Sequence, residues 1–133
     1  MKILFICKHN VFRSRVAEEY AKKKGINASS AGLIKTRLSP DPIQLEVAKE
    51  FGLDIKDNSK SISIELLQEQ DKVIIVASDV PLNIFDHPLY DLKGKISVWK
   101  INDVKSKTME RDSKKIIEQI IKKIDEFISE EIN

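Results

Sequence analysis

Two hydrophobic rhythms alternate along the chain. The first is a short unbroken apolar run. Ile3, Leu4, Phe5 and Ile6 form one near the N-terminus and residues 72–78 (Lys-Val-Ile-Ile-Val-Ala-Ser) contain a second, while residues 95–101 (Lys-Ile-Ser-Val-Trp-Lys-Ile) read as another strand. Apolar residues at successive positions place side chains on both sides of a strand, so such runs predict strands buried on both faces. Residues 26–32 (Ile-Asn-Ala-Ser-Ser-Ala-Gly) read as a further short strand. The second rhythm repeats every three to four residues. Val16, Ala17, Tyr20 and Ala21 share one face of a helix starting near Arg15, with Gly25 suited to its C′ position. Ser39-Pro40 predicts an N-cap followed by proline at the first helical position. The helix it opens carries Ile43, Val47, Ala48 and Phe51 and stops at Gly52. A shorter helix spans 63–69. The last helix, 112–132, has Ile116, Ile117, Ile120, Ile121, Ile124, Phe127 and Ile128 on a broad stripe, the width expected of core packing.

Strands alternating with helices, with the strands apolar throughout, mean a parallel sheet covered by helices on both sides. At 133 residues the chain is expected to be a single domain, residues 1–133. In open sheets of this kind ligands bind beyond the carboxyl ends of the strands, where strand order reverses. The loop after the first strand is therefore the place to look for chemistry.

Composition narrows the function. The sequence has one cysteine, Cys7, and two histidines, His9 and His87, far apart. A lone thiol forms no internal disulfide and no cysteine-rich zinc site, so neither metal nor cofactor is expected and a reducing, cytoplasmic setting is. Charge is nearly balanced at +2, and the 23 basic residues include only four arginines without a long block. No nucleic-acid partner is expected. The apolar run at 3–7 is too short for a membrane span or a signal core, so no membrane association is expected either. His87 stands beside Pro88 in a loop and reads as structural, and Trp99 reads as part of the core.

The loop runs Cys7-Lys-His-Asn-Val-Phe-Arg13-Ser14. A cysteine, five residues and an arginine between a strand and a helix describe a phosphate cradle. Backbone N–H groups of Lys8, His9, Asn10, Val11 and Phe12 can ring a tetrahedral oxyanion. The following helix points its free N–H groups and positive dipole end at the same place. Arg13 can fork onto two equatorial oxygens, which lysine meets only as a point charge. That field favours Cys7 as thiolate, and Ser14 can donate a hydrogen bond to the sulfur. His9 and Asn10 are among the few non-glycine residues enriched at positive φ, as a tight anion-binding loop often requires.

Residues 5–18, Phe-Ile-Cys-Lys-His-Asn-Val-Phe-Arg-Ser-Arg-Val-Ala-Glu, resemble the low-molecular-weight protein tyrosine phosphatases and the arsenate reductases that share their fold. The match is to the Cys-x-His-Asn-x-x-Arg-Ser form of the loop. It continues through Ser30-Ala-Gly32, Ser39-Pro40 and an aspartate before the last helix. The resemblance implies a three-layer αβα sandwich whose four parallel strands take the flavodoxin-like order 2-1-3-4. It also implies attack by Cys7 on phosphorus through a cysteinyl-phosphate intermediate, stabilised by Arg13 and the loop amides.

A general acid must also serve the leaving oxygen. The loop carboxyls are Asp41, Asp79, Asp86, Asp91 and Asp103. The family's acid sits in an Asp-Pro step after the fourth strand. Asp41-Pro42 has the dipeptide but starts a helix, whereas Asp103 follows the last strand and is the chosen candidate, with Asp79 next. Val104 stands where the family has proline. The aromatic walls usual in the phosphatases are replaced by Leu33-Ile-Lys-Thr36 and Lys105-Ser-Lys107, so Lys35, Lys105 and Lys107 could favour acidic substrates. Hydrolysis of a phosphomonoester, on a phosphorylated protein or a small molecule and by a monomer, is the expected activity. Arsenate reduction with an external thiol or glutaredoxin is the alternative, because the sequence has no further cysteine for a disulfide relay. A phosphate-binding module without catalysis is the third reading.

Overall fold

The computed structural model describes residues 1–56 and 58–132. Its centre is β1 (Lys2–Cys7), in which Ile3, Leu4, Phe5 and Ile6 are all buried. β1 pairs in parallel with β2 (Asn27–Gly32) on one side and β3 (Lys72–Val76) on the other. β4 (Ile96–Trp99) completes the sheet beside β3. The order β2-β1-β3-β4 is the expected one, and helices flank it to give the αβα sandwich. Interior burial of each large aliphatic side chain contributes roughly 1.5–3 kcal/mol, so the central strands are the main source of stability.

Strand order reverses between β1 and β3. The chain leaves β1 for one neighbour and returns on the other side, which opens a crevice beyond the ends of these two strands. α1 (Arg13–Lys23) follows β1 after five irregular residues. It buries Val16, Ala17 and Ala21 and turns out at Gly25, whose φ is +83°. α2 (Pro42–Glu50), α3 (Ile64–Gln68) and α4 (Met109–Phe127) follow. α4 packs against both α1 and α2. Its Ile116, Ile117, Ile120 and Ile124 are buried, while Ile121, Phe127 and Ile128 lie partly buried against the core.

Three local expectations are corrected. α2 opens at Asp41-Pro42, two residues beyond Ser39-Pro40. The Asp41 side chain accepts the Ile43 N–H and the Gln44 side chain reaches back to the Asp41 N–H, which completes a capping box. α4 begins at Met109 rather than 112, and its last turn, Ile128–Ile132, widens into a π-turn. In the loop after β1 only Asn10 has positive φ, at 56°. His9 does not, because one left-handed residue suffices to turn the chain there. Trp99, on the edge strand, is only partly buried and packs against the core through Phe5 and Phe127. His87 caps a short turn, its Nδ1 accepting the Leu89 N–H at 3.1 Å. No helix among the described residues is long and apolar enough to cross a membrane.

Candidate active site

Cys7 closes β1 and Arg13 opens α1, so the irregular residues 8–12 are an arc between a strand end and a helix start. α1 has no side-chain cap: Phe12 occupies the N-cap position and makes no capping bond. The first N–H groups of the helix are thus left for another acceptor, and an anion is the natural one.

A chain of hydrogen bonds beneath the arc fixes its shape. Asn10 donates through one amide nitrogen to Ser14 Oγ at 2.7 Å and to Ser30 Oγ at 2.9 Å. Ser30 in turn donates its hydroxyl hydrogen to Glu18. Since Ser14 Oγ already accepts from Asn10, its own hydrogen is free to point at Cys7 Sγ, 3.0 Å away. The donors diverge from the Asn10 amide, one branch running through Ser14 to the sulfur and the other through Ser30 to the Glu18 carboxylate. Glu18 is buried in this network, and Lys22 lies 2.5 Å from its carboxylate. Burial alone pushes its pKa up, but hydrogen bonds from Lys22 and Ser30, with the charges of Lys22 and Arg15, outweigh that and hold it below the ordinary 4.5.

A segment after α2 holds the arc from outside. Asn10 accepts the Lys60 N–H at its side-chain oxygen, 2.9 Å, and the Ser59 hydroxyl at its carbonyl, 3.0 Å. Arg15 reaches the same segment through Asn58. Gly32 faces Cys7 in the parallel register and lies so near the arc that a Cβ there would stand 2.7 Å from the His9 carbonyl carbon.

Arg13 is buried and donates Nη1 to the Ile101 carbonyl at 2.9 Å. Its Nη2 lies 3.0 Å from Asp79, which follows β3, and 3.8 Å from Asp103, which follows β4. Both leading acid candidates therefore reach the guanidinium. They differ in what else they face. Asp103 lines a cleft of about 310 Å³ together with Cys7, His9 and Arg13, whereas Asp79 is not among the residues lining it. The Asp103 side chain is also the more exposed, 55% against 37%. Asp41 lines the cleft as well, with one oxygen engaged in capping α2. Asp86 and Asp91 lie on another cavity, with Phe85 and His87.

Val11, Phe12, Leu38, Val104 and Met109 supply the apolar part of the cleft wall. Phe12 is the one aromatic among them, and it is buried. Lys8 contributes its carbonyl to Ile34 N–H rather than a wall. His9 lines the cleft, and its Nδ1 is buried without a hydrogen-bond partner among the described residues. Lys35, Lys105 and Lys107 are exposed. Glu18, Ser30, Ser59 and Lys60 were not selected as site residues from sequence. Glu18 could have been noticed as a carboxylate beside the apolar face of α1, but nothing local marks Ser59 or Lys60, which reach the arc only through the fold. Among the described residues no group of three or more His, Cys, Asp or Glu side chains is placed to hold a metal ion.

The chain is similar to known proteins in sequence and in fold. Arsenate reductase 1 of Staphylococcus haemolyticus (strain JCSC1435) is 30% identical over 129 residues, covering 94% of this chain and 92% of that protein. A solved arsenate reductase in the phosphate binding state superposes with a TM-score of 0.78 at 25% identity, over 96% of each chain. A solved protein tyrosine phosphatase gives the same TM-score at 22% identity, over 97% of this chain and 96% of the other, and so shares the fold. The family model described as low molecular weight phosphotyrosine protein phosphatase matches residues 2–130. With the cysteine arc, the arginine and the strand order all in place, the chain belongs to the low molecular weight phosphotyrosine protein phosphatase family.

Proposed function

We propose that the protein is a cysteine-dependent phosphomonoester hydrolase of the protein tyrosine phosphatase type. The observation that carries this reading is the convergence of Cys7, Arg13 and Asp103 on one cleft at the strand ends. The Cys7 thiolate attacks phosphorus in line, the P–O bond to the leaving group breaks, and the leaving oxygen takes a proton from Asp103. Water then attacks the cysteinyl-phosphate, giving its proton to Asp103, and inorganic phosphate leaves with Cys7 regenerated. Ser14, its hydrogen directed at the sulfur, stabilises the thiolate both as nucleophile and as leaving group. Arg13 and the amides of residues 8–12 hold the equatorial oxygens as charge builds. On this reading Asp79 keeps the Arg13 guanidinium in place, and Asp103 delivers the proton.

Likeness to arsenate reductases favours a second reading. Arsenate has the shape of phosphate and fits the same cradle. With a single cysteine, the reducing equivalents would have to come from an external thiol.

Both readings are tested by following an aryl phosphate, and separately arsenate with glutathione or glutaredoxin, in the parent, Cys7→Ser, Asp103→Asn and Asp79→Asn. The proposal expects hydrolysis that falls about a thousandfold in Cys7→Ser and about a hundredfold in Asp103→Asn. Turnover retained in Cys7→Ser contradicts the mechanism. A large loss in Asp79→Asn with little in Asp103→Asn moves the acid to Asp79. Arsenate reduction without hydrolysis establishes the second reading, and phosphate binding without either activity leaves a binding module.

A further inference from the structure

We propose that Asp112, on the first turn of α4, is a positioning residue that sets the acid loop and does the work a proline after Asp103 would otherwise do. The inference rests on the reading of Asp103 as general acid. The loop from 102 to 108 is fixed first where it leaves the sheet. The Ile101 carbonyl accepts Arg13 Nη1 at 2.9 Å and the Ser78 N–H at 3.0 Å, and Ile101 is buried. Beyond it Asn102 and Asp103 are exposed, and residue 104 is valine, whose φ is not locked by a ring. Two features make up the difference. Val104 still has an N–H, and it donates to Asp103 Oδ1 at 2.8 Å. That leaves Oδ2, the oxygen 3.8 Å from Arg13, as the one directed at the reacting centre.

The other feature is Asp112. Its Oδ2 accepts the Lys105 N–H at 3.0 Å and the Thr108 hydroxyl at 2.7 Å. One carboxylate oxygen thus ties together both ends of the turn Ser106–Thr108, and the first of those ends lies two residues from the acid. The anchor is firm because α4 buries Ser113, Ile116 and Ile117 directly after it. The Thr108 and Lys105 hydrogen bonds also hold the Asp112 carboxyl below its ordinary value, so it remains an acceptor through the pH range of catalysis. A loop pinned on both sides of Asp103 can present the carboxyl in one position, and displacement of a reacting group by about 1 Å can cost a hundredfold in rate.

Leaving-group dependence separates positioning of the acid from general support. p-Nitrophenyl phosphate releases a stable anion and needs little protonation, whereas phenyl phosphate needs the acid. For Asp112→Ala, kcat/KM is expected to fall about tenfold on phenyl phosphate and by less than about twofold on p-nitrophenyl phosphate. Asp112→Asn, which keeps an acceptor oxygen, recovers most of the loss. Adding Asp112→Ala to Asp103→Asn costs nothing further, because the acid being positioned is already gone. Equal losses on both substrates, or an additive double variant, overturn the proposal. Amide exchange supplies a readout independent of turnover: the Lys105 N–H should exchange about ten times faster in Asp112→Ala, and unchanged protection there overturns the clamp itself. Should Asp103→Asn alone leave phenyl phosphate turnover intact, the acid assignment fails and the proposal with it, whatever the Lys105 exchange shows.

Discussion

Gly32 shows how much of the site is decided by a missing atom. It ends β2 opposite Cys7, its N–H donating to the Lys60 carbonyl and its carbonyl accepting from Ile62. A Cβ would stand 2.7 Å from His9 and 2.9 Å from the Asn10 nitrogen, both backbone atoms that cannot swing aside. Gly32→Ala must therefore displace the arc itself. We expect a destabilisation of about 1–3 kcal/mol, the usual range for overpacking, and a loss of phosphate affinity larger than stability alone explains. Chemical denaturation and phosphate competition measure the two separately, and unchanged phosphate affinity would show that the arc tolerates the shift. At this scale the sequence was legible where the relevant residues share one loop. Cys7, Arg13 and Ser14 declare themselves by spacing, and Asn10 by its tolerance of positive φ. His9 has the same tolerance, but its neighbours never demand it. Gly32 could be flagged only through resemblance, because its constraint comes from a strand paired across the sheet.

At the scale of elements, β1 and β3 follow from their apolar runs, whereas the strand order was implied only by the family resemblance. Helix starts were less legible. Ser39-Pro40 and Asp41-Pro42 carry the same local signature, a capping side chain followed by proline. Gln44 decides between them, since it stands three residues after Asp41 and closes the box. Asp41→Ala is then expected to cost about 1 kcal/mol through the lost cap. Asp41→Asn should recover most of it, because an amide oxygen can still accept the Ile43 N–H. Thermal melts of the two variants check this, and an unchanged Asp41→Ala melting temperature would place the effective cap elsewhere. The start of α4 is hidden for a related reason: Met109, Glu110 and Arg111 add little to its apolar stripe, whereas Asp112 looks like an opening residue and instead reaches back to the loop.

For the whole molecule, the buried Glu18 joins parts that are distant in sequence. Through Ser30 it touches β2, through Ser30 and Asn10 the arc, and through Asn10 the segment at 59–60. Its folded pKa is depressed below the ordinary 4.5, because partner hydrogen bonds and cations outweigh the opposing effect of burial. Between the folded and ordinary values the unfolded chain binds the proton and the native protein does not, so stability rises with pH across that window. Glu18 accordingly contributes its full share above about pH 4.5 and loses it as pH falls through the folded value. Melting temperature followed from pH 6 downward should drop steeply below pH 4.5 in the parent. In Glu18→Gln it should start lower, because a neutral amide leaves Lys22 and Arg15 less well paired, and the slope should be shallower. Asp112, also held below its ordinary 3.8, maintains a residual acid slope in that variant. Parallel curves for parent and Glu18→Gln would mean that the buried carboxylate carries no linkage. A parent advantage over Glu18→Gln that is full above about pH 4.5 and shrinks as pH falls below it would instead show that the carboxylate supporting the cysteine arc also sets the acid limit of the fold.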